Sequence, residues 1–325
     1  MKLPRRQLLH LAAGAAALSV APRIARAQAY PARPVRIVVG FAPAGVADIT
    51  ARLIGQWLSE RLGQQFVIDN RPGAGGNIGT ETVVRAPADG YTLLLCGVFN
   101  ATNAAFYDKL NFNFLRDIAP VAGVFRGPYV MVVHPSVPAR SVPEFIAYAK
   151  ATPRKINMAS SGTGAAPHLA GELFKMVAGI DMVHVPYRGG GPAATDLIAG
   201  QVQVYFATTV SSIEYVRTGR LRALAVTTAA RSEALPDIPT VAEFVPGYEA
   251  SGWFGLGAPK GTPVEIIDML NKEINAALAD PKMKARLADL GGTVLAGSPA
   301  DFGKLIAEET EKWAKVIRAA NIRPE

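Results

Sequence analysis

The sequence predicts an α/β protein that consists of two lobes joined by a hinge. Short β-branched runs alternate with helical patterns, which is typical of mostly parallel sheets covered by helices. The alternation occurs twice along the chain, and a mainly helical segment follows it. The length of 325 residues and the apolar content of 50% are sufficient for two hydrophobic cores.

The first series of elements has the order β-α-β-α-β. Its predicted strands are rich in β-branched residues and leucine and lie at 35–39, 66–68 and 92–96. The first helix begins near Asp48, whose side chain is suited to cap it, and ends at Gly63. A second helix follows the glycine-rich loop at 72–76 and ends near Arg85.

A second α/β series of comparable size follows. Its predicted strands lie at 129–133, 156–159, 182–185, 202–206 and 221–226. Ser141 and Glu144 form a capping box in front of a helix that ends near Ala151. Another helix is predicted from the end of the second of these strands to about Ala178. Pro192 is suited to the first position of a third helix.

The C-terminal segment is mainly helical. Thr262, Asp280 and Ser298 each precede a proline and are expected to start a helix. A short strand is predicted at 293–295, between the last two helices. These helices need a sheet to cover, and we expect them to cover the first series, with the chain crossing back near residues 251–257.

Two crossings between the series predict a hinge with a ligand cleft. The first lobe is expected to comprise residues 28–125 plus 252–325, and the second lobe residues 126–251. Ligands of open α/β sheets bind where the strands end at their carboxyl edge.

Residues 1–27 are expected to be an export signal. Arg5 and Arg6 precede an apolar run that is too short to span a membrane. Ala25 and Ala27 are typical of a cleavage site, so the mature chain should begin at Gln28. The adjacent arginines resemble a twin-arginine signal, and an ordinary secretory signal is the alternative. In both cases the mature protein is predicted to be soluble and periplasmic.

Composition excludes several functions. The net charge of +8 includes five basic residues of the signal, and the rest of the chain has 29 basic and 26 acidic residues, which does not favour nucleic-acid binding. The single cysteine, Cys96, excludes a disulfide framework and a thiolate metal site, and it lies in an apolar run typical of a core. The four histidines are scattered, so no metal is expected. The loop at 73–78 lacks the third glycine of a dinucleotide site because Ile78 occupies that position.

Three loops rich in glycine or hydroxyl residues follow predicted strands and enter helices. They lie at 40–48, 160–168 and 187–192. Such loops offer free N–H groups, the positive end of a helix dipole and small side chains, a combination suited to a carboxylate. No nucleophile elbow or Walker A loop accompanies them. The remaining alternatives are an exported enzyme with Asp48 and His168 as acid and base, and a periplasmic sensor that signals to a membrane kinase.

Several motifs resemble those of the Bug family, the extracytoplasmic receptors of tripartite tricarboxylate transporters. They lie at 30–34, 40–48, 69–79, 89–93, 186–190 and 236–240, and the block at 69–79, DNRPGAGGNIG, is the most specific. The resemblance covers about residues 30–322. It implies a two-lobed type II periplasmic binding protein, a small carboxylate ligand and membrane permease subunits as partners. It implies neither a cofactor nor catalysis, and we expect a monomer.

The candidate ligand-binding residues come from the three loops and from the end of the third strand. They are Phe41, Ala42, Gly45, Val46, Asp48, Asn100, Ser160, Ser161, Gly162, Thr163, His168, Tyr187, Arg188 and Gly189. The resemblance implies ligand contacts at the first loop and a carboxylate clamp at 160–163. Asp48, His168, Tyr187 and Arg188 each have a structural alternative as cap, packing or ion-pair residues. The apolar Phe41, Val46 and Ala47 favour an aromatic or short aliphatic acid over citrate.

Overall fold

The computed structural model describes residues 30–107 and 109–324. The chain from Arg33 onward forms one compact unit. The predicted export signal and the predicted start at Gln28 lie outside the described residues. Within the described residues, every helix is too short or too polar to cross a membrane.

Ten strands and eleven α-helices are described. The strands are β1 (Val35–Val39), β2 (Phe66–Asn70), β3 (Thr92–Gly97), β4 (Ile118–Val133), β5 (Asn157–Ser160), β6 (Val183–Pro186), β7 (Val204–Thr208), β8 (Arg222–Val226), β9 (Ser251–Pro259) and β10 (Thr293–Val294). The helices are α1 (Val46–Leu62), α2 (Asn77–Val84), α3 (Val98–Phe106), α4 (Phe114–Asp117), α5 (Val142–Ala151), α6 (Ala166–Ala178), α7 (Gly190–Ile198), α8 (Thr209–Arg217), α9 (Val264–Ala279), α10 (Pro281–Asp289) and α11 (Pro299–Ala319).

The strands form two groups that share β4. The order along the sheet is β2-β1-β3-β9-β4-β7-β5-β6, and β8 and β10 also pair with β4. β1 is parallel to β2 and β3, and β5 is parallel to β6 and β7. The predicted α/β class and the parallel series are therefore confirmed.

Two long antiparallel strands carry the chain between the groups. The part of β4 up to Pro128 pairs with β9, and the part from Tyr129 onward pairs with β7 and β8. β9 returns from Ser251 and also pairs with β3. The sequence predicted only the second part of β4 and a crossing without a strand at β9. The two crossings are thus neighbouring strands in one hydrogen-bonded ladder.

Two of the three helix caps predicted for the C-terminal segment are confirmed. The Asp280 carboxylate accepts from the N–H groups of Lys282 and Met283, and Ser298 caps α11. Thr262 does not cap α9, because its hydroxyl donates to the Pro259 carbonyl instead. α7 begins two residues before Pro192.

Cys96 is fully buried in the hydrophobic core, as the sequence predicted. Burial raises the pKa of its thiol to about 12. The thiol is therefore neutral at physiological pH and is not a nucleophile in the folded protein.

Candidate functional site

A cavity of about 1020 Å³ lies where α3, β7, β9 and the loops after β1, β5 and β6 meet. None of the described residues that line it has a charged side chain. Its polar side chains are hydroxyls and one amide, among them those of Ser161, Thr163, Thr208, Ser211 and Asn103. A charged ligand in this cavity must therefore be stabilised by neutral dipoles.

Four helices begin at the cavity, and none of them has a side-chain cap. The N-cap residues of α1, α6, α7 and α8, in order, are Gly45, Ala165, Gly189 and Thr208. All four residues line the cavity. The first-turn N–H groups of these helices have no intrahelical acceptor. The positive ends of four helix dipoles thus meet at one cavity, an arrangement that attracts an anion.

Asp48 lies behind the loop after β1, on the side away from the cavity, and holds it through hydrogen bonds. It is 2% exposed and does not line the cavity. Its Oδ2 accepts from the Ala44 N–H and from Arg52 Nε, both at 2.9 Å, and its Oδ1 accepts from Asn70 Nδ2 at 3.0 Å. Burial alone would raise the pKa of Asp48, but these hydrogen bonds lower it below its ordinary value. The predicted cap role is wrong, because α1 begins two residues earlier and Gly45 is its N-cap.

The glycine-rich segment after β2 packs closely against the same loop. A Cβ atom on Gly40 would lie 2.8 Å from the Gly76 Cα, so no other residue fits at that position without a shift. Gly75, with φ of 60°, brings its backbone to the cavity wall. The segment at 73–76 therefore supports the loop that follows β1.

The loop after β5 lines the cavity with residues 161–165. Ser160 is fully buried beneath it, and its Oγ lies 2.6 Å from His184 Nε2. His168 is 4% exposed, and its Nδ1 accepts from the Gly164 N–H at 3.0 Å. Both side chains therefore hold the loop and do not face the cavity.

The loop after β6 reaches the cavity through its glycines. Gly189, Gly190 and Gly191 line it. The Tyr187 hydroxyl turns away and donates to Asp196 Oδ2 at 2.7 Å. Arg188 is exposed and lies outside the lining.

Aromatic side chains form much of the remaining wall. Phe41 and Phe99 meet edge to face with ring centroids 4.7 Å apart, and Phe106 and Tyr107 do so at 5.0 Å. Trp253 of β9 also lines the cavity, while its Nε1 lies 3.4 Å from Glu309 of α11. The sequence missed these aromatic residues of α3 and β9, because neither element was predicted. Adjacent aromatic residues such as Phe106 and Tyr107 are the only local signal of such a wall.

The structure brings half of the candidate residues to the cavity. Those that line it are Phe41, Gly45, Val46, Ser161, Gly162, Thr163 and Gly189. Those that lie behind or beside it are Ala42, Asp48, Asn100, Ser160, His168, Tyr187 and Arg188. Asn100 is buried, where its Oδ1 accepts from the Gly97 N–H and its Nδ2 donates to Thr80. In the described part of the chain, no group of three or more His, Cys, Asp or Glu residues is placed to hold a metal ion.

The fold and the cavity define a class, the two-lobed solute-binding proteins of the periplasm. Residues 50–322 match the tripartite tricarboxylate transporter family receptor, TctC, and the chain belongs to this family. BugT of Bordetella pertussis is 38% identical over 295 residues, which are 90% of each chain. The protein from the tcbD-tcbE intergenic region of Pseudomonas sp. strain P51 is 39% identical over 91% of this chain and 88% of its own. The resemblance to the Bug family is confirmed.

Solved structures agree with this assignment. Rpa4515 of R. palustris, solved with adipate, is 39% identical with a TM-score of 0.79, over 91% of this chain and 100% of its own. MatC of Rhodopseudomonas palustris, solved with bound malate, is 32% identical with a TM-score of 0.75, over 89% of this chain and 100% of its own. The periplasmic binding protein BugD is 34% identical with a TM-score of 0.75, over 91% of this chain and 100% of its own.

Proposed function

We propose that this protein is an exported periplasmic receptor that binds a small carboxylate in the cavity and delivers it to the permease subunits of a tripartite tricarboxylate transporter. The observation that carries the proposal is the meeting of four uncapped helix N-termini at a cavity without charged side chains. N–H groups in this position stabilise an anion through charge-assisted hydrogen bonds. The adipate and malate of two solved relatives support a carboxylate as the ligand.

The lining favours an acid with few charges and an apolar body. Each further negative charge would enter a cavity with no cation to pair with it, and an unpaired buried charge is costly. Phe41 and Phe99 offer ring surface that an aromatic or aliphatic chain can contact. The proposed ligand class is therefore an aromatic or short aliphatic mono- or dicarboxylate rather than citrate.

A thermal-shift screen tests the ligand class directly. Benzoate, adipate, malate and citrate are compared with benzamide, which has the shape of benzoate without its charge. A ligand at 100 times its dissociation constant stabilises the folded state by about 2.7 kcal/mol, which corresponds to about 5 °C in a chain of this size. We expect benzoate or adipate to give this shift and benzamide and citrate to give none. A shift caused by sugars or neutral amino acids alone would contradict the carboxylate assignment.

Hydroxyl variants test the loop after β5. Ser161→Ala and Thr163→Val should reduce the ligand-induced shift, because each removes a polar group from the cavity lining. Thr82→Val is the matched control, since the Thr82 hydroxyl is exposed and donates to the Ile78 carbonyl away from the cavity. Equal affinity in all three variants and in the wild type would place the carboxylate elsewhere.

The division into lobes at 28–125 plus 252–325 and at 126–251 belongs to the same proposal. It is supported by the pairing of β4, whose partner changes from β9 to β7 and β8 after Pro128. Rotation about this ladder would close the cavity around a bound acid. Small-angle scattering should then show a smaller radius of gyration with saturating ligand. An unchanged radius with a ligand of proven affinity would argue against closure.

A further inference from the structure

Two imidazole rings are stacked behind the 160–165 loop. The ring centroids of His168 and His184 are 3.5 Å apart, and their planes differ by 6°. His168 lies in the first turn of α6, and His184 lies on β6. Neither ring lines the cavity. Any influence of the pair on a ligand must therefore pass through the loop.

Each ring holds the loop at one point. The Gly164 N–H donates to His168 Nδ1 at 3.0 Å. His184 Nε2 lies 2.6 Å from Ser160 Oγ, and this oxygen also accepts from the Gly162 N–H at 3.2 Å. Gly162 and Gly164 line the cavity with φ values of 135° and 75°, which glycine adopts readily and other residues rarely do. The shape of the loop thus depends on both rings.

The contact to Gly164 fixes the protonation state of His168. Because Nδ1 accepts a hydrogen bond, the ring proton lies on Nε2, which is 3.6 Å from Glu172 Oε1. Burial alone would raise the pKa of Glu172, but the hydrogen bonds of His168 and Lys175 lower it below its ordinary value. A second proton on His168 must go to Nδ1, where it would face the Gly164 N–H. The ring then ceases to be an acceptor for the loop.

The charged groups around the pair are few. His168, Glu172 and Lys175 are the groups whose charges act on His184. α11 faces Glu172 with the uncharged side chains of Val316 and Ala319. Burial, together with the neighbouring His168, lowers the pKa of His184 to about 4. The surroundings therefore favour a neutral His184 ring at neutral pH.

We propose that His168 and His184 are positioning residues that hold the 160–165 loop in its binding conformation, and that ligand affinity falls when a second proton on His168 removes its Nδ1 acceptor. The inference rests on the proposed function, because it takes this loop as a ligand contact. Protonation of His168 on Nδ1 breaks the hydrogen bond that this nitrogen accepts from the Gly164 N–H, and the Gly164 N–H group reorients. The loop then no longer presents residues 161–163 to the ligand. The loss of one hydrogen bond corresponds to about a fivefold weaker affinity.

The protonation state can be measured without a ligand. Nitrogen-15 NMR at pH 7.5 should show His168 protonated on Nε2 with Nδ1 as an acceptor. The Gly164 amide signal should shift with the same midpoint as the His168 ring when the pH is lowered. Protonation on Nδ1 at pH 7.5, or a Gly164 amide that does not follow His168, would overturn the inference.

Affinity measurements at two pH values distinguish a residue whose protonation state positions the loop from one that only supports the fold. In His168→Asn, the Oδ1 atom replaces Nδ1 as acceptor but cannot titrate. Calorimetry with benzoate, or with adipate if benzoate does not bind, gives the ratio of the dissociation constants at pH 5.0 and pH 7.5. Protonation of the probe itself is the same in every variant. His134→Asn is the control, since His134 bonds to Ser136 away from the loop.

We expect the wild type and His134→Asn to share one ratio, and His168→Asn to show a ratio about fivefold smaller. Equal ratios in all three proteins would overturn the inference while leaving the proposed function intact. If His168→Asn does not fold, the NMR titration of the His168 ring and the Gly164 amide in the wild type decides on the inference. If neither acid binds the wild type at pH 7.5, the proposed function fails for these ligands, and the NMR result alone decides on the histidine pair.

Discussion

Gly45 offers a test in which stability and binding should change in opposite directions. It is the N-cap of α1, with φ of −80° and ψ of 167°, a conformation that any residue can adopt. A Cβ atom there would have only the Ala42 carbonyl oxygen nearby, at 4.0 Å. Gly45→Asp therefore places a carboxylate at the start of α1 without a clash. That carboxylate can accept from the first-turn N–H groups, which lack a side-chain acceptor in the wild type.

The expected magnitudes follow from the site. An Asp cap with its favourable dipole interaction stabilises the ligand-free protein by about 0.5–1 kcal/mol, or about 2 °C in melting temperature. A ligand carboxylate about 5 Å from the new charge is repelled by about 3 kcal/mol at an effective dielectric of 20, which weakens binding more than a hundredfold. Arg52 cannot offset this charge easily, because its guanidinium already pairs with Asp48 through two nitrogens.

Differential scanning calorimetry and isothermal titration with the acid selected by the screen measure both effects. Gly45→Asn is the matched control, because it caps the helix with the same shape and without charge. We expect Gly45→Asn to keep most of the affinity and Gly45→Asp to lose it. Wild-type affinity in Gly45→Asp would show that the anion does not approach α1. A melting temperature several degrees lower would show that the start of α1 has no room for a cap.

Three further outcomes are expected. The pKa of His184 is lowered from 6.5 to about 4 in the folded protein. Between these pH values the unfolded chain binds a proton that the folded protein does not, so the melting temperature should fall as the pH is lowered from about 6.5 towards 4. His184→Gln should flatten this slope, and an unchanged slope would assign the loss of stability to other groups. Cys96 is fully buried with a pKa of about 12, so iodoacetamide should modify it only after unfolding, and rapid modification of the native protein would contradict its burial. Replacement of Arg5 and Arg6 by lysine should leave precursor in the cytoplasm, whereas a normal periplasmic yield would indicate the general secretory route.

The parallel strands and the three loops that reach the cavity could be predicted because their signals are local. A β-branched run followed by glycines and a helix start is visible within about fifteen residues. β9 could not be predicted in this way, since its glycines argue against a strand. The structure gives the reason: a Cβ atom on Gly255 would lie 2.2 Å from the Phe302 ring, and one on Gly257 would lie 2.5 Å from Ile118. Residues far away in the sequence therefore determine the composition of this strand.

The aromatic wall illustrates the same limit. α3 carries Phe99, Asn103 and Phe106 to the cavity, but its buried positions include the polar residues Asn100, Thr102 and Asn103, so it lacks the apolar face that predicts a helix. The helix packs its buried residues against α11, which lies about two hundred residues later in the chain. Side chains that line a cavity need not follow the periodicity of a core-facing helix, because they are not required to cover a continuous apolar surface.

The sequence rules for helix starts held at Asp280 and Ser298, failed at Thr262, and failed beside the cavity at Asp48. Asp280 and Ser298 cap their helices as predicted, and both lie outside the cavity lining. Asp48 has the residue type of a cap, yet its carboxylate binds Arg52 and the Ala44 N–H and leaves the cap position to Gly45. A side chain that satisfied the first-turn N–H groups would compete with an anion for the same donors. The four helices around the cavity without side-chain caps are therefore consistent with the proposed carboxylate ligand, which would supply the missing acceptor at those helix ends.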